Sequence, residues 1–171
     1  MIKQKKMYYN WDNFDNDIGE IKTKFKEDNY QPKAVFGIPK GGLPLAVKIS
    51  NLFDIPLFVD LIEANKKFEN KKDILIVDDI SDSGKTFKKI KYREYYTTLA
   101  IFIRYNTSYV PNYYLRKIDD DSWIVFGWEN NKDVKIEKEG TFKELTPKHW
   151  YIKRMPGNIG NQNSKEVKTV K

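Results

Sequence analysis

The apolar positions of the chain alternate between spaced stripes and short continuous runs. Trp11, Phe14, Ile18, Ile21 and Phe25 recur at spacings of three and four, the period of one helix face, and Asp12 and Asn13 are capping candidates, so a helix is expected within residues 8–30. Ala34-Val35-Phe36-Gly37-Ile38 is then an apolar run stopped by Pro39, the pattern of a strand buried on both faces of a parallel sheet. After Gly41-Gly42, the stripe Leu43, Ala46, Val47, Ile49, Leu52 and Phe53 predicts a second helix, with Pro44 tolerated in its first turn. Residues 55–62 and 73–77 predict two further strands, the second ending at Asp78-Asp79, and the polar stretch 63–72 between them predicts a mobile loop or hairpin tip. A short helix over 85–91, a strand over 97–103 and an apolar segment over 123–128 follow. Strands alternating with helical segments imply an α/β fold: a mostly parallel twisted sheet flanked by helices.

Composition narrows the chemistry. At 171 residues the chain is the size of one domain, able to bury roughly 70% of its unfolded surface in a single core. No apolar run approaches the roughly 20 residues that span a bilayer, and the basic N-terminus lacks the apolar core of a secretory signal, so a soluble, cytoplasmic protein is expected. With no cysteine and only His149, disulfides, thiolate catalysis and a histidine metal cluster are excluded. Catalysis then falls to carboxylates, hydroxyls, amines and backbone groups. The net charge of +7 is concentrated beyond position 147, where Lys148, Lys153, Arg154, Lys165, Lys168 and Lys171 oppose only Glu166. The segment from Met155 also lacks an apolar period, which divides the chain into a domain over 1–150 and a basic, flexible tail over 151–171. Such a tail reads as a solvated terminus ahead of a nucleic-acid arm.

The segment Ile74-Leu75-Ile76-Val77-Asp78-Asp79-Ile80-Ser81-Asp82-Ser83-Gly84-Lys85-Thr86 carries the strongest chemical signal. A buried strand delivers two carboxylates to its carboxyl end, where α/β proteins bind ligands, and passes into a glycine-containing turn suited to an anion. Paired acids beside an anion call for another partner, such as ribose hydroxyls or Mg²⁺, which takes oxygen ligands and shares substrate phosphates with one or two carboxylates. The alternative is a strand end whose acids cap the next helix. Position 79 is Asp where a Walker loop needs Gly, which argues against an ATPase.

This segment resembles the phosphoribosyl pyrophosphate (PRPP) motif of type I phosphoribosyltransferases: an apolar strand, two acids, and a loop ending in Ser/Thr-Gly-x-Thr. The resemblance implies that Asp78 and Asp79 hold the ribose hydroxyls and that Ser83, Gly84, Lys85 and Thr86 hold the 5-phosphate. Asp82 would be the catalytic acid-base group near N7 of a purine, its alternative being the N-cap of the next helix. Upstream, Lys40-Gly41-Gly42 resembles the family's pyrophosphate turn, with an expected cis peptide joining Lys40 to Gly41. Downstream, 101–104 and 121–129 resemble the base-binding region of the xanthine-guanine and hypoxanthine-guanine branch, a small hood beside the sheet. Arg104 would donate to the 6-oxo group, Trp123 would stack on the ring or serve as core, and Ile124 would read the ring edge through its backbone. Asp79 and Glu129 would share the Mg²⁺ shell. Family purine members carry a Ser-Tyr pair in their mobile loop, and 63–72 contains neither residue.

The resemblance therefore implies a purine-salvage transferase that moves 5-phosphoribosyl from PRPP to N9 of guanine, xanthine or hypoxanthine, working with Mg²⁺. It also implies a homo-oligomer, dimer or tetramer, with small-molecule substrates and without a membrane or nucleic-acid partner. Two alternatives stay open at this point: a non-catalytic PRPP- or nucleotide-sensing regulator on the same fold, and a transferase for a different base.

Overall fold

The computed structural model describes residues 5–129. The weak signals over 134–150 and the tail over 151–171 lie outside the described residues. In chain order the elements are β1 (Lys6–Tyr9), α1 (Trp11–Glu27), β2 (Ala34–Gly37), α2 (Gly42–Phe53), β3 (Leu57–Phe58), α3 (Leu61–Lys67), β4 (Ile74–Ser81), α4 (Lys85–Lys88), β5 (Thr97–Arg104), β6 (Tyr113–Ile118) and β7 (Trp123–Phe126). Five strands form one sheet in the order β3-β2-β4-β5-β6, and β1 and β7 form a separate two-stranded hood. All the pairings in both are parallel.

The central strands of the main sheet are buried on both faces because their residues 34–37, 74–77 and 99–103 are almost all apolar. In β4, Ile74, Leu75, Ile76 and Val77 are each fully buried, worth about 1.5–3 kcal/mol apiece in transferred apolar surface. Alternation divides them. Leu75 and Val77 join Ile18, Ile21 and Phe25 of α1 and Leu45 and Ile49 of α2 in one cluster, whereas Ile74 and Ile76 join Ala64 of α3, Phe87 of α4 and Tyr96 in the other. The same period of two, continued along the strand, assigns Asp79 to the α2 face and Asp78 to the α4 face.

Several elements differ from the sequence expectation, each for a local reason. The helix starts at Trp11 because Asn10, rather than Asp12 or Asn13, is its N-cap: the Asn10 side chain accepts from Asn13 N at 2.8 Å and Asn13 Oδ1 accepts from Asn10 N at 3.3 Å, a reciprocal capping box. The expected strand over 55–62 contracts to Leu57–Phe58, and the expected loop over 63–72 is largely the helix α3 followed by a 3₁₀ turn at Lys71–Asp73. Asp60 starts α3 by accepting from Ile62 N at 2.7 Å, and Leu61, Ala64 and Phe68 pack at helical spacing on the α4-side core. β4 continues through the acids to Ser81, so Asp78 and Asp79 stand within the strand and not beyond it. The strands β1 and β6 had no counterpart in the apolar pattern.

A buried ion pair fastens α1 to β6. Arg116 donates through Nε to Asp17 Oδ2 at 3.0 Å and through Nη2 to Asp17 Oδ1 at 2.6 Å, and Tyr9 Oη donates to the same carboxylate at 2.7 Å. The Asp17 and Arg116 side chains are 1% and 8% exposed. Although burial opposes its charge, the Asp17 carboxylate holds Arg116 firmly protonated, while burial first and Asp17 second push the Tyr9 phenol far above its ordinary range. Removing one partner strands the other charge, so Asp17→Ala is expected to lower the unfolding free energy by about 3–5 kcal/mol. Urea denaturation measures this, and a loss under about 1 kcal/mol would show that the network contributes little.

Candidate functional site

Two strand-to-helix turns meet at the carboxyl end of β2 and β4. The first is tied down by backbone bonds: Ile38 N donates to Val77 O at 2.9 Å, Gly42 N to Ile38 O at 2.9 Å and Leu43 N to Lys40 O at 3.2 Å. Its cis peptide joins Pro39 to Lys40, one residue before the expected position. Gly41 lies against the Asp79 carboxylate and Gly42 against the Val77 carbonyl, so a Cβ at either position would overlap its neighbour. These glycines let the turn approach β4 more closely than any side chain permits.

The second turn runs over Ser81, Asp82, Ser83 and Gly84. Gly84 sits at φ +76, and its α-carbon faces Tyr109, whose N would lie 2.5 Å from an added Cβ. Both the conformation and the contact demand glycine there. The loop after β5 buttresses the turn: Ser83 O accepts from Ser108 N at 3.2 Å and from Ser108 Oγ at 2.6 Å, Ser81 Oγ donates to Tyr109 O at 2.6 Å, and the rings of Phe87 and Tyr109 stack at 5.1 Å. Asp82, Ser83 and Thr86 remain exposed around a cavity of about 280 Å³ lined also by Asp78, Asp79 and Gly84, and Lys85 is exposed beside it. The N-cap position of α4 is Gly84 and not Asp82, which removes the capping alternative for Asp82.

Asp78 and Asp79 are 7% and 8% exposed, and neither has a cationic partner among the described residues. Burial pushes both carboxyls up from their ordinary value, Asp78 further because the Asp79 charge adds to it, and the backbone N–H of Ile80 at 2.7 Å restrains Asp79. Glu129, near enough to raise Asp79, accepts from Phe126 N at 3.3 Å. A pair of desolvated carboxylates with no counter-charge fits a divalent cation, and no group of three or more metal-ligating side chains is present among the described residues. This donor set matches Mg²⁺ shared with substrate oxygens better than a protein-only cage.

Asp79 also lines a second, larger cleft of about 920 Å³, walled by Lys40, Gly41, Pro44 and Val47 on one side and by Trp11, Trp123, Trp128 and Glu129 on the other. Trp123 stands at the start of β7, half-exposed and among the residues lining this cleft, which overturns the core alternative for it. Ile124 is buried in the hood, its backbone in register with Met7 of β1. Arg104, at the end of β5, is committed: Nε donates to Asp82 Oδ1, Nη1 to Asp120 O at 2.7 Å, and both Nη1 and Nη2 reach Ser122 O at 3.3 and 3.2 Å. The expected residues thus gather at one edge of the sheet. Sequence reasoning missed Trp11, Trp128 and the buttress Thr107-Ser108-Tyr109. The Trp11 and Trp128 rings, 5.7 Å apart, form a wall joining two chain segments more than 100 residues apart, and nothing local in sequence signals that.

The fold and this edge together define a parallel α/β protein in which two glycine turns converge on a carboxylate pair, the architecture of type I phosphoribosyltransferases. Residues 4–72 match the model of the phosphoribosyl transferase domain. The chain is 24% identical over 149 residues to a xanthine-guanine phosphoribosyltransferase of Cereibacter sphaeroides, covering 74% of this chain and 88% of that protein. Its structure is similar to a purine phosphoribosyltransferase from Pyrococcus horikoshii (28% identity, TM-score 0.60, 76% of this chain and 98% of the other). It also shares its fold with a Helicobacter pylori xanthine-guanine-hypoxanthine phosphoribosyltransferase (21% identity, TM-score 0.61, 73% and 93%). The chain is thus similar over residues 4–72 to the phosphoribosyl transferase domain and over most of its length to purine phosphoribosyltransferases.

Proposed function

We propose that the protein is a purine phosphoribosyltransferase that transfers the 5-phosphoribosyl group of PRPP to N9 of a 6-oxopurine and releases pyrophosphate. The observation that carries this reading is Asp79, which lines both the small cavity under the Ser83–Gly84 turn and the larger cleft faced by Lys40, Gly41 and Trp123. One sugar ester can then reach all three subsites. The relatives named above, purine enzymes by name, support the same class.

The 5-phosphate is assigned to Ser83, Gly84, Lys85 and Thr86, of which Ser83, Gly84 and Thr86 line the small cavity. Asp78 and Asp79 accept from the ribose hydroxyls. The Lys40 ammonium and the amides of the Gly41-Gly42 turn hold the pyrophosphate end. Trp123 stacks on the base, Ile124 presents its backbone to the ring edge, and the remaining Nη2 hydrogen of Arg104 donates to the 6-oxo group. In transfer, the C1–oxygen bond breaks with its electron pair passing to pyrophosphate, and purine N9 supplies the pair for the new bond from the opposite face. The proton that the purine loses is accepted by Asp82. Asp79 and Glu129 would hold Mg²⁺, which neutralises charge on the departing pyrophosphate when bound. The turns act through position and electrostatics.

Gly41→Ala is expected to push the Asp79 carboxylate out of place and reduce PRPP affinity at least about tenfold. Calorimetric titration with PRPP and Mg²⁺ checks it, and retained affinity would show that Asp79 does not need its place beside Gly41.

The function itself is tested by PRPP- and Mg²⁺-dependent nucleotide formation with guanine, xanthine, hypoxanthine, adenine, uracil and orotate offered separately. Turnover with an oxopurine supports the reading and ranks the three. PRPP binding without consumption of any base would replace it by the sensor reading, and turnover with a pyrimidine alone would change the substrate class. A dimer or tetramer belongs to the same proposal and is read by light scattering. No helix among the described residues is long and apolar enough to cross a membrane.

A further inference from the structure

We infer that Arg104 is a positioning residue that bridges the carboxylate of Asp82 to the β1–β7 hood, and so holds the stacking face of Trp123 in register with the acid-base group. The inference rests on the transferase reading for its catalytic consequence and on geometry alone for the bridge.

Arg104 ends β5 in the main sheet, and its acceptors lie on two other parts of the molecule. Asp82 belongs to the turn after β4, while the Asp120 and Ser122 carbonyls belong to the segment that enters β7. Ser122 immediately precedes Trp123, so the carbonyl held by both Nη atoms is that of the peptide bond leading into the stacking residue. The hood end of the bridge is itself braced. Asp120 accepts from Ser122 N at 3.0 Å and pairs with Lys5 Nζ at 3.2 Å, while Trp123 N donates to Lys5 O at 2.7 Å. These links carry the tether from Arg104 to β1.

Only a guanidinium suits this span. Its donors sit on three nitrogens in one rigid plane, so Nε can hold the carboxylate while Nη1 and Nη2 hold the carbonyls. A lysine ammonium carries the same charge on a single atom and cannot reach both sides at once. The side chain is 14% exposed, sheltered enough for charge-assisted bonds to resist competition from water. A residue that merely supplied charge to the base would work equally well as lysine; a bridge would not.

The test is Arg104→Lys, followed by steady-state kinetics with the preferred purine and by amide hydrogen exchange on the full chain. With these charge-assisted hydrogen bonds lost, the KM for the purine is expected to rise at least about tenfold. The KM for PRPP should stay within about twofold, because the phosphate and ribose contacts lie elsewhere. Exchange should accelerate over residues 120–126 and remain slow over 74–81. A lysine variant with unchanged exchange at 120–126 overturns the bridge whatever its purine KM, because loss of the Nη2 donor to the 6-oxo group raises that KM by itself. So does faster exchange across both segments, which would make Arg104 a general support of the fold. If the unsubstituted protein consumes no base at all, the transferase reading fails, while the exchange comparison still decides whether Arg104 tethers the hood.

Discussion

Replacing both Asp78 and Asp79 by Asn is expected to make the ligand-free protein more stable by about 1–3 kcal/mol at pH 8 while abolishing PRPP binding. Both carboxyls are buried beside each other and both are pushed above their ordinary value, chiefly by burial. Folding therefore favours their protonated forms. Between about pH 4 and about pH 8 the native chain binds more protons at this pair than the unfolded chain does, so this contribution to stability falls as pH rises through that window. Asparagine keeps Oδ1 as the acceptor for Asp79 N at 3.0 Å and Ile80 N at 2.7 Å, so the substitution removes charge without orphaning those donors. Thermal unfolding of both proteins from pH 5 to pH 8 should show the downward slope in the natural chain and a flatter one in the variant. A variant less stable at pH 8 would mean that the carboxylates are compensated in the free protein. A more stable variant would mean that the free site holds strain which a bound ligand relieves, a stability cost accepted for binding.

The second large effect is on chemistry. Asp82→Asn is expected to lower kcat by about 10²–10⁴-fold, the usual contribution of a positioned acid-base group, with the KM for PRPP little changed. Asparagine retains an oxygen for Arg104 Nε, so the hood bridge survives and proton transfer alone is lost. The paired variants separate the two roles: Arg104→Lys acts mainly on purine KM, Asp82→Asn mainly on kcat. Stopped-flow or discontinuous nucleotide assays suffice, and a fall smaller than about fivefold would leave Asp82 as an anchor for Arg104 only.

Legibility in the sequence followed how local each cause was. The runs 34–38, 74–77 and 97–103 show as buried parallel strands because both faces are apolar, and the structure places them side by side as β2, β4 and β5. The stripes from Trp11 and Leu43 show as helices for the same reason. α3 was hidden because only Leu61, Ala64 and Phe68 mark its apolar face, and its polar residues outnumber them. β1 and β6 were hidden because Tyr, Lys and Arg fill them, with burial supplied by distant partners such as Asp17.

The chain by itself determined the α/β class, the two glycine turns and the acids between them, since each depends on residues adjacent in sequence and on backbone conformations only those residues adopt. Tertiary structure alone decided that the turns share Asp79, that Trp11 and Trp128 complete the wall opposite Lys40, and that Arg104 joins Asp82 to the hood. Those relations are distances between segments far apart along the chain. Packing of the two cores sets them, and no local pattern of side chains encodes them.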